Sequence, residues 1–303
     1  MIYKTYSLSK DDDGRRIDRI VRRFLPDMPL SAIYRLLRKG LVRVDGRRVS
    51  PDFKAAEGSA VQIAEALVSS SSTDGADGEL PAERGDVDYR KWVLLETPDL
   101  LFINKPEGIP VHGKGGLSEL IPQSPSVRES LAFRTGPLHR LDLGTTGIIA
   151  FSRSLVGARW FSAAISGHEI GKLYLGLAEG LLPSETRWSD IDEDGKKMET
   201  IATAIATAPT PKPGSGVLTL VQFRILTGRK HQIRKQASSV GHPLAADRRY
   251  GGHGAGNFFL HAWKLMLPDS RPESLPAEIT APLPARFASR ISELFGDNAL
   301  AHI

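Results

Sequence analysis

Cysteine is absent from all 303 residues, so the chain has no disulfide framework, no thiolate nucleophile and no thiolate-bound zinc. Long apolar runs are missing too. No stretch approaches membrane-spanning length, and Met1-Ile2-Tyr3-Lys4-Thr5-Tyr6 leads to Asp11-Asp12-Asp13 rather than to an apolar core with a cleavage site. The expectation is a cytoplasmic protein, neither exported nor inserted in a membrane. Nucleotide fingerprints are also lacking. The stretch from Asn104 to Gly116 has the Gly, Pro and Lys content of a loop that approaches phosphates, yet it has no Gly-Lys-Ser/Thr after a four-residue gap. The histidines at 112, 139, 231, 242, 253 and 261 include no i, i+4 pair around a Glu, so no metal site is expected.

Positive charge is present, and it is unevenly placed. The whole chain carries a net charge of +5, but Gly14 to Lys54 alone holds twelve Lys or Arg against four Asp, a local net of +8. Such polarisation is the footprint of a polyanion-binding module. Within it, Ile17, Ile20, Val21, Phe24 and Leu25 form the apolar stripe of one helix. Ser31 is the expected N-cap and Gly40 the expected C-cap of a second helix, which carries Arg35, Arg38 and Lys39. A strand at Leu41–Val44, an Asp45-Gly46 turn and a return at Arg47–Val49 follow, then a strand at Ala60–Ile63. Residues 66–90, with six Asp or Glu against two Arg and a serine run, are expected to be a flexible acidic linker.

Beyond the linker the text changes to buried strands at Trp92–Leu95, Leu100–Ile103 and Gly147–Phe151. Further strands are expected at Lys172–Ala178, Val217–Ile225 and Phe258–Leu267, with helices at Ser154–His168, Arg229–Val240 and Pro284–Phe295. Strands with interspersed helices, lacking strict alternation, indicate an α+β domain whose sheet is largely antiparallel.

The chemistry gathers in a few places. Asp142, in His139-Arg140-Leu141-Asp142 before a Gly144-Thr145-Thr146-Gly147 turn, is suited to act as nucleophile, general base or metal ligand. Tyr174 shares one side of its strand with Lys172 and Gly176. Arg229, His231 and Arg234 fall at one expected helix start, with His231 and Arg234 on a common face.

In order and content, His139-Arg140-Leu141-Asp142 with Thr145-Thr146-Gly147, Lys172-Leu173-Tyr174, and Thr227-Gly228-Arg229-Lys230-His231-Gln232-Ile233-Arg234 resemble the three motifs of RNA pseudouridine synthases of the RluA family. Asn104-Lys105-Pro106, Gly241-His242-Pro243-Leu244 with Asp247, Tyr250 and Gly251, and Leu260-His261-Ala262 extend the likeness over about residues 90–268. Gly144, Thr146 and Ser152-Arg153 depart from the usual pattern. The basic module resembles the alpha-L RNA-binding domain, a pairing similar to members that act on large-subunit ribosomal RNA.

The resemblance implies three regions: an alpha-L module at 14–65, the linker at 66–90 and a pseudouridine synthase domain at 91–303. The fold it implies is a small basic αα-β module joined to a domain with a mixed, largely antiparallel sheet and flanking helices around a central cleft. It makes Asp142 the catalytic aspartate, Tyr174 the aromatic packed on the target base, and Arg234 the ion-pair partner that keeps Asp142 ionised. Arg140 would fill the space left by the flipped base, and His139, Lys105, Arg229, His231 and Ile233 would contact substrate. Arg35, Arg38, Lys39, Arg43, Arg47 and Arg48 would contact RNA in the module. Ribosomal RNA is the implied partner, with transfer RNA as the other choice. No cofactor is required, because uridine and pseudouridine are isomers. Two other classes compete. A binding-only RNA protein would keep its function without Asp142, and a nucleoside hydrolase would need a second carboxylate across the scissile bond.

Overall fold

The structure, a computed structural model, describes residues 2–25, 28–69, 88–122, 133–210 and 216–299. Most of the expected acidic linker, residues 70–87, lies outside the described residues. The chain divides into two compact units. One comprises Met1–Asp88 with Ile121–Gly136 and Ser152–Ala158; the other comprises Tyr89–Leu120, Pro137–Phe151 and Arg159–Ile303.

In the first unit, Ile17, Ile20 and Val21 do line one side of a helix, α1 (Ile17–Phe24), and share a core with Ile33 and Leu37 of α2 (Leu30–Lys39). Helix α2 starts ahead of the expected Ser31 cap. Pro29 takes the cap position, and its carbonyl accepts from Ala32 and Ile33, so Ser31 lies inside the first turn. Gly40 ends the helix as expected, at φ 70°, which lets the Leu41 amide reach the Leu36 carbonyl at 3.0 Å.

Strand β2 (Val42–Val44) follows, and Asp45 and Gly46, at φ 49° and 77°, make the tight turn. The return strand expected at Arg47–Val49 does not form; one bridge from Val44 to Arg47 closes the turn. The cause lies in α1. Its first amides, Ile17 and Asp18, have no partner within the helix and donate to the Phe53 and Pro51 carbonyls, which draws that segment off the sheet. Strand β2 pairs instead with β3 (Ala60–Ala64), whose other edge takes β1 (Tyr3–Ser7), ahead of residue 14. A short helix, α3 (Glu65–Ser69), occupies the place where the linker was expected to begin.

The second unit is built on one mixed sheet. Its strands are β4 (Val93–Glu96), β5 (Leu100–Lys105), β6 (Gly136–Pro137), β7 (Thr146–Ser152), β8 (Gly171–Glu179), β9 (Glu185–Ile191), β10 (Lys197–Pro209), β11 (Val217–Ile225), β12 (Leu260–Met266) and β13 (Glu278–Thr280). The main path is β4-β5-β7-β12-β8-β11-β10-β9, with β6 beside β7 and β13 beside β12. Strands β7 and β12 run parallel, while β12–β8, β8–β11, β11–β10 and β10–β9 are antiparallel, in line with the expected architecture. Strands β9 and β10 were not expected from the sequence.

Helices α4 (Leu117–Leu120), α5 (Leu155–Ser166), α6 (Gln232–Ser239) and α7 (Ala285–Phe295) complete the elements used below. Phe102, Ile148, Phe161 of α5 and Leu265 form one apolar cluster; Leu175, Leu220, Trp263 and, from α7, Phe287 and Ile291 form another. The sheet is thus fixed by two cores, and the loop before β7, the start of β8 and the start of α6 converge on a cavity.

Candidate active site

The loop that carries Asp142 is held from several sides. The His139 Nε2 accepts the Ala150 amide of β7 at 3.0 Å, and its ring stacks on Phe161 with centroids 5.9 Å apart. Burial, aided by the nearby Lys172 charge, lowers the His139 pKa to about 3, so the ring is a neutral acceptor. Lys105 is wholly buried, and its ammonium donates to the carbonyls of Pro106, Ile109 and Leu143 at 3.0, 2.9 and 3.1 Å. Three donors meet three acceptors, leaving none for a ligand. Lys105 is therefore not a substrate contact, contrary to expectation; it clamps the backbone beside Asp142. His139 lines the cavity, but its Nε2 is likewise committed to the fold.

Gly147, at φ 105°, is where β7 passes β12 most closely: a Cβ there would land on the Ala262 carbonyl. Gly144 lies against Asn257, whose side chain would be 2.5 Å from an added Cβ.

Facing this loop is the start of α6. The helix begins at Gln232, not at Arg229, because the Gln232 side chain organises the preceding residues as a loop. Its Oε1 accepts from Thr227 Oγ1 at 2.7 Å and from the Arg229 amide at 3.0 Å, while Nε2 donates to Thr200 Oγ1 and the Glu199 carbonyl. His231 is left in the left-handed region at φ 56°, so it does not share a helical face with Arg234. Both nonetheless reach Asp142: His231 Nε2 lies 3.6 Å from Oδ1, and Arg234 Nη1 lies 3.4 Å from Oδ2.

The closer partner of Arg234 is Asp247, a residue to which the sequence alone assigns no role in the site. Nε and Nη2 of Arg234 donate to its two carboxylate oxygens at 2.7 and 2.8 Å. The guanidinium carbon also sits 4.1 Å from the centroid of Phe258 and 4.9 Å from that of Tyr250. Burial opposes its charge, and the Asp247 pair outweighs that, holding its pKa above the ordinary value. The Tyr250 hydroxyl meets His231 Nδ1 at 2.7 Å, so with Nδ1 as acceptor the Nε2–H faces Asp142. Burial lowers the His231 pKa against the opposing pull of Asp142.

Asp142, His231 and Arg234 line a cavity of about 360 Å³ with Arg140, Leu141, Lys172, Tyr174, Ile225, Arg229, Lys230, Ile233 and Leu260. The Asp142 side chain is 15% exposed, accessible from the cavity yet largely out of bulk water. The Tyr174 ring forms part of the wall. Burial, then the Asp142 charge, raises its pKa, so its hydroxyl keeps its proton. Arg140 is exposed at the cavity with no ion pair among the described residues. Arg229 is half-committed, with Nε 3.4 Å from the Lys197 carbonyl and 3.9 Å from Asp192. Ile233 contributes apolar surface.

In the first unit, Arg35, Arg38 and Lys39 of α2 and Arg47 and Arg48 of the β2 turn are exposed. Arg43 differs: its Nε donates to the Gly40 carbonyl at 3.1 Å and its guanidinium lies 4.9 Å from the Tyr3 centroid, so it braces β1 and the end of α2.

A carboxylate in a cavity, two flanking basic side chains, an aromatic wall and a free arginine suit chemistry on a nucleoside extruded from RNA. Comparison with known proteins agrees. Residues 99–239 match the family model described as RNA pseudouridylate synthase. The chain is 32% identical over 302 residues to ribosomal large subunit pseudouridine synthase C of Vibrio vulnificus strain CMCP6, covering 91% of both. It is 30% identical over 289 residues to the protein of that name from Escherichia coli K12, covering 86% of both. The fold is shared with the human protein RNA pseudouridylate synthase domain containing 4, at TM-score 0.55 and 21% identity over 68% of this chain and 94% of that one. With identity at this level across nearly the whole length of curated relatives, this chain belongs to the RNA pseudouridylate synthase family.

Proposed function

We propose that this RNA pseudouridine synthase modifies uridine in large-subunit ribosomal RNA, that Asp142 is its catalytic group, and that the exposed cations of the first unit hold the RNA. The observation that carries the reading is the Asp142 carboxylate, 3.4 Å from Arg234 and 3.6 Å from His231, at the wall of a cavity it shares with Tyr174. The curated relatives bear the name of ribosomal large subunit enzymes, which supports that choice of RNA.

In the reaction the bond from ribose C1′ to uracil N1 breaks, the base turns, C1′ bonds to C5, and the proton on C5 is lost while N1 gains one. Whether Asp142 attacks the ribose or removes a proton from it, the group must act as a carboxylate, and Arg234 and His231 are the side chains that face it. Tyr174 and Ile233 give the detached uracil an apolar slot, which retains it for rejoining. Arg140, free at the cavity, is placed to stack in the gap the base leaves.

The test compares pseudouridine maps of RNA from cells with and without the protein, followed by Asp142→Asn in vitro. The expected variant forms no pseudouridine and still binds RNA. Product from the variant, or release of free uracil by the wild type, would refute the assignment.

A further inference from the structure

Two lysines of the second unit are withdrawn from bulk water, and the fold treats them differently. Lys105 has a carbonyl for each of its protons. Lys172, on the same side of β8 as Tyr174 and two residues before it, lines the Asp142 cavity and has no hydrogen bond or ion pair among the described residues. Burial depresses its pKa and no carboxylate offsets the effect. Lys172 is half-buried, its ammonium has no protein partner among the described residues, and an anion entering the cavity would give it one.

Its surroundings fit that reading. Gly228 leaves the space beside the ammonium clear: a Cβ there would stand 3.6 Å from Lys172 Nζ. Arg229 and Lys230, next along the loop that Gln232 holds in shape, line the same cavity. The charge balance of the cavity points the same way. Arg234 is shared between Asp247 and Asp142, one cation for two carboxylates. A nucleotide brought to Asp142 adds a phosphodiester anion, which Arg234, committed to both carboxylates, does not neutralise; of the other cations lining the cavity, Lys172 is half-buried, whereas Arg140, Arg229 and Lys230 are exposed. A neutral uracil carbonyl would leave the Lys172 charge uncompensated, whereas a phosphate would cancel it.

We propose that Lys172, with the open floor at Gly228, seats a backbone phosphate flanking the flipped uridine and so positions the ribose against Asp142. The proposal rests on the reading of this cavity as the uridine site.

The test uses the full chain and a synthetic oligoribonucleotide spanning the mapped uridine. The oligonucleotide is made with native linkages, or with a neutral methylphosphonate at the linkage 5′ or 3′ of that uridine. Wild type is expected to lose about tenfold in single-turnover rate at one of the two linkages, roughly one charge-assisted contact. Lys172→Met is expected to show a similar loss on the native RNA and no further loss on the methylphosphonate. Lys172→Arg should recover most of the rate and the sensitivity to the neutral linkage. The salt dependence of binding should also flatten by about one counterion in Lys172→Met. The native-to-methylphosphonate ratio of each variant does not depend on how much of it is folded. An equal ratio in wild type and Lys172→Met overturns the proposal. Absence of product from wild type on the native oligonucleotide would instead count against the functional reading itself.

Discussion

At the scale of single residues, the site depends on how the Arg234 charge is divided. Asp247 takes it in a bidentate pair at 2.7 and 2.8 Å, and Asp142 receives only the remaining Nη1 at 3.4 Å. Asp247 thus fixes the guanidinium plane, and Phe258 and Tyr250 flank it. Asp247→Asn leaves Arg234 buried with a neutral partner and free to turn toward Asp142. Breaking one side of a buried pair costs about 3–5 kcal/mol, and a displaced catalytic contact costs about a hundredfold in rate. We expect a lower melting temperature and a kcat down by roughly that factor, with RNA affinity unchanged. Unchanged kcat would show that Arg234 needs no second carboxylate. The sequence placed Asp247 among the residues that extend the family likeness but gave it no role, because nothing in Ala245-Ala246-Asp247-Arg248-Arg249 shows that it lies against Arg234, thirteen residues earlier. Lys105 misled in the opposite direction: a lysine in a Gly- and Pro-rich loop suggests a phosphate contact, and only the three converging carbonyls identify it as a clamp.

At the scale of elements, the legible strands were those with large apolar side chains. Strand β7 is buried along its whole length, and β5, β8, β11 and β12 carry Leu, Ile, Val, Phe or Trp toward a core. Strand β10 went unread because Ala and Thr dominate Lys197–Pro209, giving alternation with little hydropathy contrast; β9, with Glu185, Arg187, Ser189 and Asp190, looks like a solvated loop. Both are stabilised by pairing with neighbours distant in sequence, a tertiary effect invisible in a short window. The start of α6 was misplaced for a local reason, the competition of the Gln232 side chain for backbone donors. The parallel contact of β7 with β12 sets the height of the Asp142 loop, and Gly147 permits it. Gly147→Ala must drive a methyl into the Ala262 carbonyl and hold a non-glycine residue at φ 105°. Overpacking and backbone strain together should cost about 3 kcal/mol or more. Denaturant unfolding is the measurement, and a variant as stable as wild type would show that the two strands can separate freely.

At the scale of the whole molecule, one buried histidine ties stability to pH. His261 is wholly buried, with Nδ1 2.8 Å from Thr146 Oγ1 and Nε2 3.2 Å from the Ala281 carbonyl, and burial lowers its pKa to about 4. Because the folded pKa lies below the unfolded value of about 6.5, the unfolded chain gains a proton that the folded chain refuses as pH falls between the two. The stability associated with neutral His261 is complete above about pH 6.5 and declines towards pH 4, by about 3 kcal/mol at most. His261→Gln should melt with a shallower dependence on pH across that window; a parallel dependence would remove His261 from the account.

The basic module was readable as charge before any of its contacts were known, and the fold sorts that charge. Arg43 is committed to Gly40 and Tyr3, whereas Arg35, Arg38, Arg47 and Arg48 project into solvent from α2 and the β2 turn. Exposed arginines with no ion pair among the described residues add little to stability but release counterions when they meet phosphates. Replacing these four by alanine should lower the melting temperature by no more than several degrees, since surface substitutions are worth about 0.5 kcal/mol or less each. Binding to RNA should weaken, and the slope of log affinity against log salt should shrink by about 0.7–0.9 for each phosphate no longer neutralised. Turnover at saturating RNA should hold, because Asp142, Arg234 and His231 keep their places in the cavity. If the slope stayed the same, these cations would not touch the RNA, and RNA would be held by the second unit alone.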